Sequence, residues 1–346
     1  MTASTDQRLT ILAERLAART HTPTLWRLER PDAGWSWSHG DQAQPFFLAS
    51  ITKLYVTALI LQLCDEGLLT LDSPAAGYLP AGTLTGLNTV GGTDNGGSIT
   101  VRMLLAQTSG LADYFEGPGG MLGTLLQHDL GWSDADALDR GRGMPARFAP
   151  GSTRAHYSDT NFQLLGMIIE AVTGATFEEA VTDRILDRAA LGETWPFTAA
   201  ALGRYDDILP IRSGTTDLRI PLAMASVRAQ GGLVSSAPDA IRFLRAFVAG
   251  AFFDVRHLSD LTASPHRVFG PISYGLGVMR FQIPRLLSPF APIPVLVGHS
   301  GSTGTVLYHS PQHDLFITGA VNKLDSATVM HQYLARMAAA AAWGGR

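Results

Sequence analysis

Apolar positions recur along the chain in three distinguishable ways, and each predicts a different kind of element. Leu9, Leu12, Leu16 and Ala17 repeat at helical spacing, so residues 6–19 are expected to form an amphipathic helix. Thr24-Leu25-Trp26-Arg27-Leu28 and Gly34-Trp35-Ser36-Trp37 alternate instead, as two strands of a hairpin about Pro31-Asp32. From Ile51 to Leu63 apolar residues cover every side of a helix, which marks a helix buried in the middle of the protein, with Ser50 at its start.

Residues 72–155 change character. Glycine-rich loops such as Gly91-Gly92-Thr93-Asp94-Asn95-Gly96-Gly97 surround a short helix at Val101 to Leu105, as expected of a mostly helical, loop-rich insertion. Helices are predicted over 161–173, 177–188 and 238–247, and strands over 274–281, 295–299, 303–308 and 315–321, the last two joined by Pro311-Gln312-His313-Asp314. A helix over 326–342 closes the chain. This order predicts an α+β fold (an α/β sandwich): an antiparallel sheet flanked by helices. The expected division is one unit over 1–346, with residues 1–71 and 156–346 forming an α/β subdomain and 72–155 a subdomain inserted into it. A cleft between the two is a natural ligand site.

Composition narrows the class of function. With 346 residues, 46% of them hydrophobic, the chain can bury a large core, and there is no internal repeat. A net charge of -4 and scattered arginines leave no basic stripe for nucleic acid or an anionic membrane. Cys64, the single cysteine, sits in an apolar run and reads as a buried thiol. No stretch approaches a membrane span and the first residues lack a secretion pattern, so the chain as given reads as cytoplasmic. The ten histidines form no short ligand spacing, and no metal or cofactor is implied. His309, His313 and His331 read as surface or packing residues.

The candidate chemistry begins with lysine, which occurs only twice, at Lys53 and Lys323. Lys53 lies three residues after Ser50, so a helix brings the two side chains onto one face. A serine hydroxyl becomes a nucleophile when a base takes its proton, and lysine can act as that base when an apolar wall lowers its affinity for protons. A serine cap followed by a first-turn lysine is the plain structural alternative.

Two further segments weigh against that alternative: Ala155-His156-Tyr157-Ser158-Asp159 and Val297-Gly298-His299-Ser300-Gly301-Ser302. With Ser50-Ile51-Thr52-Lys53 they resemble, in order and rough spacing, the three active-site motifs of the penicillin-recognising serine hydrolases. These include class C β-lactamases, D-alanyl-D-alanine carboxypeptidases and family VIII esterases. Thr100 to Leu111 and Ala229 to Ser236 are also similar to stretches of that family, so the likeness spans nearly the whole chain. The resemblance implies that Ser50 is acylated, that Lys53 and Tyr157 share the general-base role, and that Tyr157 protonates the leaving group. It also implies an oxyanion hole from the backbone N–H groups of Ser50 and Ser302, the latter on an edge strand, and substrate contacts from Asp159, His299, Ser300 and Gly301. A phenol beside an ammonium is expected to have its anion stabilised, which would let Tyr157 cycle a proton near neutral pH.

Two departures shape the expected substrate. Asp159 stands where the family usually has asparagine, placing a negative charge near Lys53 that disfavours an anionic acyl donor. His299 replaces the lysine of class C β-lactamases. The expectation is therefore a serine hydrolase, an esterase, amidase or D-amino-acid peptidase, for a small neutral or amine-bearing ester, amide or peptide. A β-lactamase, an acyltransferase and a non-catalytic penicillin-binding-like sensor remain as alternatives. Val297-Gly298-His299-Ser300-Gly301-Ser302 also imitates a nucleophile elbow at Ser300, but the strand-like residues after it do not supply the required helix. Tyr114, Phe115 and Trp132 are either pocket-lining or ordinary packing residues.

Overall fold

The computed structural model describes residues 4–287 and 292–343. The chain opens with helix α1 (Thr5–Thr20), started by a capping box in which Ser4 and Gln7 exchange hydrogen bonds. Strands β1 (Leu25–Arg30) and β2 (Trp35–His39) follow as a hairpin. Next comes α2 (Thr52–Asp65), in which every residue from Thr52 to Leu63 is buried. Three short helices in residues 72–155, at Val101–Leu105, Met121–Leu125 and Asp134–Arg142, lead to α3 (Asp159–Thr173). After α4 (Ala237–Val248) the strands resume as β3 (His266–Phe269), β4 (Ile272–Tyr274), β5 (Met279–Phe281), β6 (Leu296–Gly301), β7 (Thr305–Ser310) and β8 (Leu315–Ala320). Helix α5 (Ala327–Trp343) is last.

Among the described residues, eight strands form one antiparallel sheet in the order β3-β4-β5-β6-β7-β8-β1-β2. Every residue of β7 and β8 is buried, so both sheet faces are covered; α1 packed with α5, and α4 lying on β8, β1 and β7 with its Phe243 stacked on Tyr55 of α2, supply the covers. The antiparallel sheet with helices on its faces is the α+β architecture expected from the sequence. Arg228 ties the layers beside the sheet, pairing with Asp134 of a short helix, Glu170 of α3 and Glu178.

Four details differ from the sequence expectation. The run 274–281 is two strands, because Gly277 turns the chain at φ +74° and a Cβ on Gly275 would stand 1.9 Å from the Leu261 carbonyl oxygen. The helix expected over 177–188 passes into a π turn at Thr182. Strand β6 is the fourth strand rather than an edge; β5 pairs only with residues 296–298 of it, which leaves His299 to Gly301 bonded on the β7 side. A small antiparallel sheet of Phe46–Phe47, Leu233–Ser235 and Trp195–Pro196, not expected from the sequence, clamps the segment before Ser50. No described helix is long and apolar enough to cross a membrane.

Candidate active site

Ser50 sits in a single 3₁₀ turn, Ala49–Ile51, that runs directly into α2. Ala49 carries φ +48°, a left-handed conformation that costs an L-residue about 1 kcal/mol or more. The strain is held by contacts on both sides: the Leu48 N–H donates to the Leu233 carbonyl at 2.8 Å, and Thr305 Oγ1 donates to the Leu48 carbonyl at 3.1 Å. Gly301 lets β6 come this close, since a Cβ there would stand 2.8 Å from that of Ala49. Ser302 therefore follows β6 beside the Ser50 turn, and both residues line the same two hollows.

Lys53 is fully buried, one turn along α2, and its ammonium Nζ donates to Ser50 Oγ at 2.8 Å and to the Gln230 carbonyl at 2.7 Å. Asp159 Oδ1 lies 2.7 Å away as its counter-charge. The Tyr157 and Phe162 rings lie 5.3 and 5.4 Å from the same nitrogen. Gln230 is held in turn, its side-chain amide donating to Tyr114 Oη at 2.7 Å. The Tyr157 phenol hydrogen-bonds the Ser50 side chain, so Ser50, Lys53 and Tyr157 meet at one point.

The electrostatics of Tyr157 run opposite to the sequence expectation. Burial raises its pKa well above the ordinary tyrosine value, and the charge of Asp159 pushes the same way. The resting phenol is therefore neutral, suited to donate a proton or to relay one without a standing phenolate. Asp113, which accepts from the N–H groups of Phe115 and Asp159, has its carboxyl pushed up to about 7 by burial and by Asp159. Glu116 stands at the rim and hydrogen-bonds the Ser302 side chain; its carboxyl is raised by the surrounding protein and by Asp159, with Ser302 and Lys53 opposing.

His299 lies outside the lining of both hollows that hold Ser50. It is fully buried, with Nε2 3.1 Å from Tyr274 Oη and Nδ1 2.8 Å from the Ser300 carbonyl oxygen. Burial and Lys53 lower its pKa well below the ordinary value, so it is a neutral strut behind Tyr157. Ser300 does face the site, flanked by Tyr308 and His331.

Sequence reasoning missed Gln107, Asp113, Glu116 and His331. Gln107 had a local signal, lying in the 100–111 stretch; its side-chain oxygen accepts from the Ser158 N–H at 2.9 Å and so fixes the entry to α3. The others come together only through the fold. Tyr114, Phe115 and Trp132 pack in one aromatic cluster, and Phe115 also lines the hollow beside Ser50.

Comparison with known families decides the relationship. The beta-lactamase family profile matches residues 32–342. The chain belongs to the beta-lactamase family. It is 28% identical over 169 residues to penicillin-binding protein 4 of Amycolatopsis lactamdurans, covering 45% of this chain and 37% of that protein. It is 27% identical over 304 residues to a putative D-alanyl-D-alanine carboxypeptidase of Escherichia coli, covering 80% and 68%. The chain thus spans little more than a third of the first relative and about two thirds of the second. The fold matches that of the D-amino acid amidase of Ochrobactrum anthropi SV3, solved with D-phenylalanine, at a TM-score of 0.79 and 20% identity over 97% of this chain and 99% of that one.

Proposed function

We propose that the protein is a serine hydrolase that forms an acyl-enzyme at Ser50 from amides or esters whose acyl part is apolar and carries an amine. The carrying observation is the contact of Lys53 Nζ with Ser50 Oγ at 2.8 Å, inside a wall that excludes water from the lysine. In this reading Ser50 Oγ attacks the acyl carbon while its proton passes to the Tyr157 oxygen, and Lys53 stays an ammonium, held by Asp159 and the Gln230 carbonyl, whose charge stabilises the oxygen that loses the proton. Tyr157, a neutral phenol beside Ser50, gives its own proton to the departing nitrogen or oxygen as it takes that of Ser50, and later takes a proton from the water that hydrolyses the acyl-enzyme as it returns one to Ser50. The N–H groups of Ser50 and Ser302 receive the oxyanion.

Two hollows meet at Ser50. One holds 570 Å3 of empty space and is walled by apolar side chains, among them Phe115, Leu125, Ile220 and Met224, but not by Tyr157. The other holds 960 Å3 and includes Tyr157. Since the leaving group must reach Tyr157, it belongs in the second, and the apolar acyl side chain in the first. Glu116 and Asp159 beside the site favour a cationic amine and oppose a carboxylate on the acyl donor. The likeness to a D-amino acid amidase agrees with this substrate class.

The reading is tested by kcat/KM on three esters that differ only at the acyl α-position: amine, hydrogen or carboxylate. The expected order is amine first and carboxylate last; a preference for the carboxylate overturns it.

A further inference from the structure

The hollow that receives the leaving group contains a hydrogen-bonded chain that catalysis at Ser50 does not use. Ser300 Oγ lies 2.8 Å from Tyr308 Oη and 2.9 Å from His331 Nε2. Ser300 comes from β6, Tyr308 from β7 and His331 from α5, and both Ser300 and His331 line the hollow with Ser50 and Tyr157. Two partners on one hydroxyl fix its rotamer and leave it one free direction, toward the hollow. Glu116 and Asp325 line the same space, and no arginine or lysine among the described residues does.

We propose that Ser300, held by the positioning residue His331, forms a leaving-group subsite that takes ammonia or an amine without a carboxylate. This inference rests on the reading of Ser50 as the acylated residue and deepens it. A carboxylate on the leaving group would enter beside Glu116 and Asp325 with no cation to meet it, and such like-charge contacts are strongly disfavoured. An N–H or ammonium of the leaving group, by contrast, can be met by Ser300 and by the rim carboxylates. Burial pushes the His331 imidazole down to about 4, so at neutral pH it is an uncharged hydrogen-bonding partner and supplies no positive charge.

The test uses donors that share a D-phenylalanyl acyl group and release ammonia, ethylenediamine or D-alanine, assayed on the full chain and on H331Q, H331L, H331R and S300A. The wild type is expected to favour the first two by roughly 100-fold in kcat/KM over the third. H331L should raise KM for the amide by roughly 3- to 10-fold with little change in kcat, as loss of one neutral hydrogen bond does. H331Q should restore most of it, since its amide can reach Ser300. H331R should improve the D-alanine donor about tenfold relative to the amide. A leaving-group preference that stays within twofold of wild type in H331R and S300A overturns the inference, even if H331L fails to fold. Labelling of Ser50 by p-nitrophenyl butyrate separates the two readings: if the wild type is not labelled, both fall; if it is labelled and the preferences do not move, only the subsite falls.

Discussion

Replacing Asp159 by asparagine removes one charge from the most deeply buried ion pair near the candidate nucleophile while keeping shape. Lys53 and Asp159 side chains are 0% and 6% exposed and stand 2.7 Å apart, so the ammonium loses its counter-ion with no water to replace it. Removing one partner of a buried pair costs about 3–5 kcal/mol. Two oxygens remain on Lys53, the Gln230 carbonyl at 2.7 Å and Ser50 Oγ at 2.8 Å, which puts the expected loss near the lower end, about 3 kcal/mol. An ordinary lysine can also escape by losing its proton at pH 7 for about 4.6 kcal/mol, which sets the ceiling. The assay is urea unfolding at pH 7 of D159N, K53M and the double variant. The double should be less destabilised than the sum of the singles by about 2 kcal/mol or more. The same change should lower the Asp113 carboxyl from about 7, since Asp159 is the second cause of its elevation after burial. A D159N protein within about 1 kcal/mol of wild type, or an additive cycle, refutes the assignment of a charged pair at this place.

Three further outcomes follow from the same geometry. Asp113 has a folded-state pKa of about 7 against an ordinary 3.8, so the folded state holds a proton that the unfolded state has lost between those values; its stabilising contribution is full below pH 4 and gone above pH 7. D113N should remove that decline and gain roughly 2–4 kcal/mol on wild type at pH 8 relative to their difference at pH 4, as read by unfolding at the two pH values. A Cβ at Gly301 would stand 2.2 Å from Thr305 Oγ1 and 3.1 Å from the Leu48 carbonyl oxygen, so G301A should push Ser302 away from Ser50 and cut kcat about 100-fold in a steady-state ester assay. E116Q should lower kcat/KM for an amine-bearing ester about tenfold more than for its neutral analogue, and equal losses on the two would remove Glu116 from amine recognition.

Where local pattern and fold agreed, the sequence was a good guide. Apolar residues on all sides of 51–63 could only be a buried helix, and α2 is buried from Thr52 to Leu63. That Ser50, Lys53 and Tyr157 would lie together was legible because one helical turn joins the first two and a short motif carries the third. The strand expected over 274–281 hid its turn because the apolar alternation continues through Gly275 and Gly277, although those two glycines were the available signal. The sign of the Tyr157 shift was not legible, since it depends on burial and on Asp159 more than on the neighbouring ammonium. His331 carried no local sign at all: its place at the site comes from the packing of α5, which brings its imidazole to Ser300 thirty-one positions away.

The most direct test of the account is intact-protein mass measurement after brief mixing with p-nitrophenyl butyrate, followed by peptide mapping of any adduct, with S50A alongside. The account predicts a single butyryl addition on Ser50 that decays as product forms and is absent from S50A. A stable protein with no adduct, or one whose adduct persists in S50A, would contradict it.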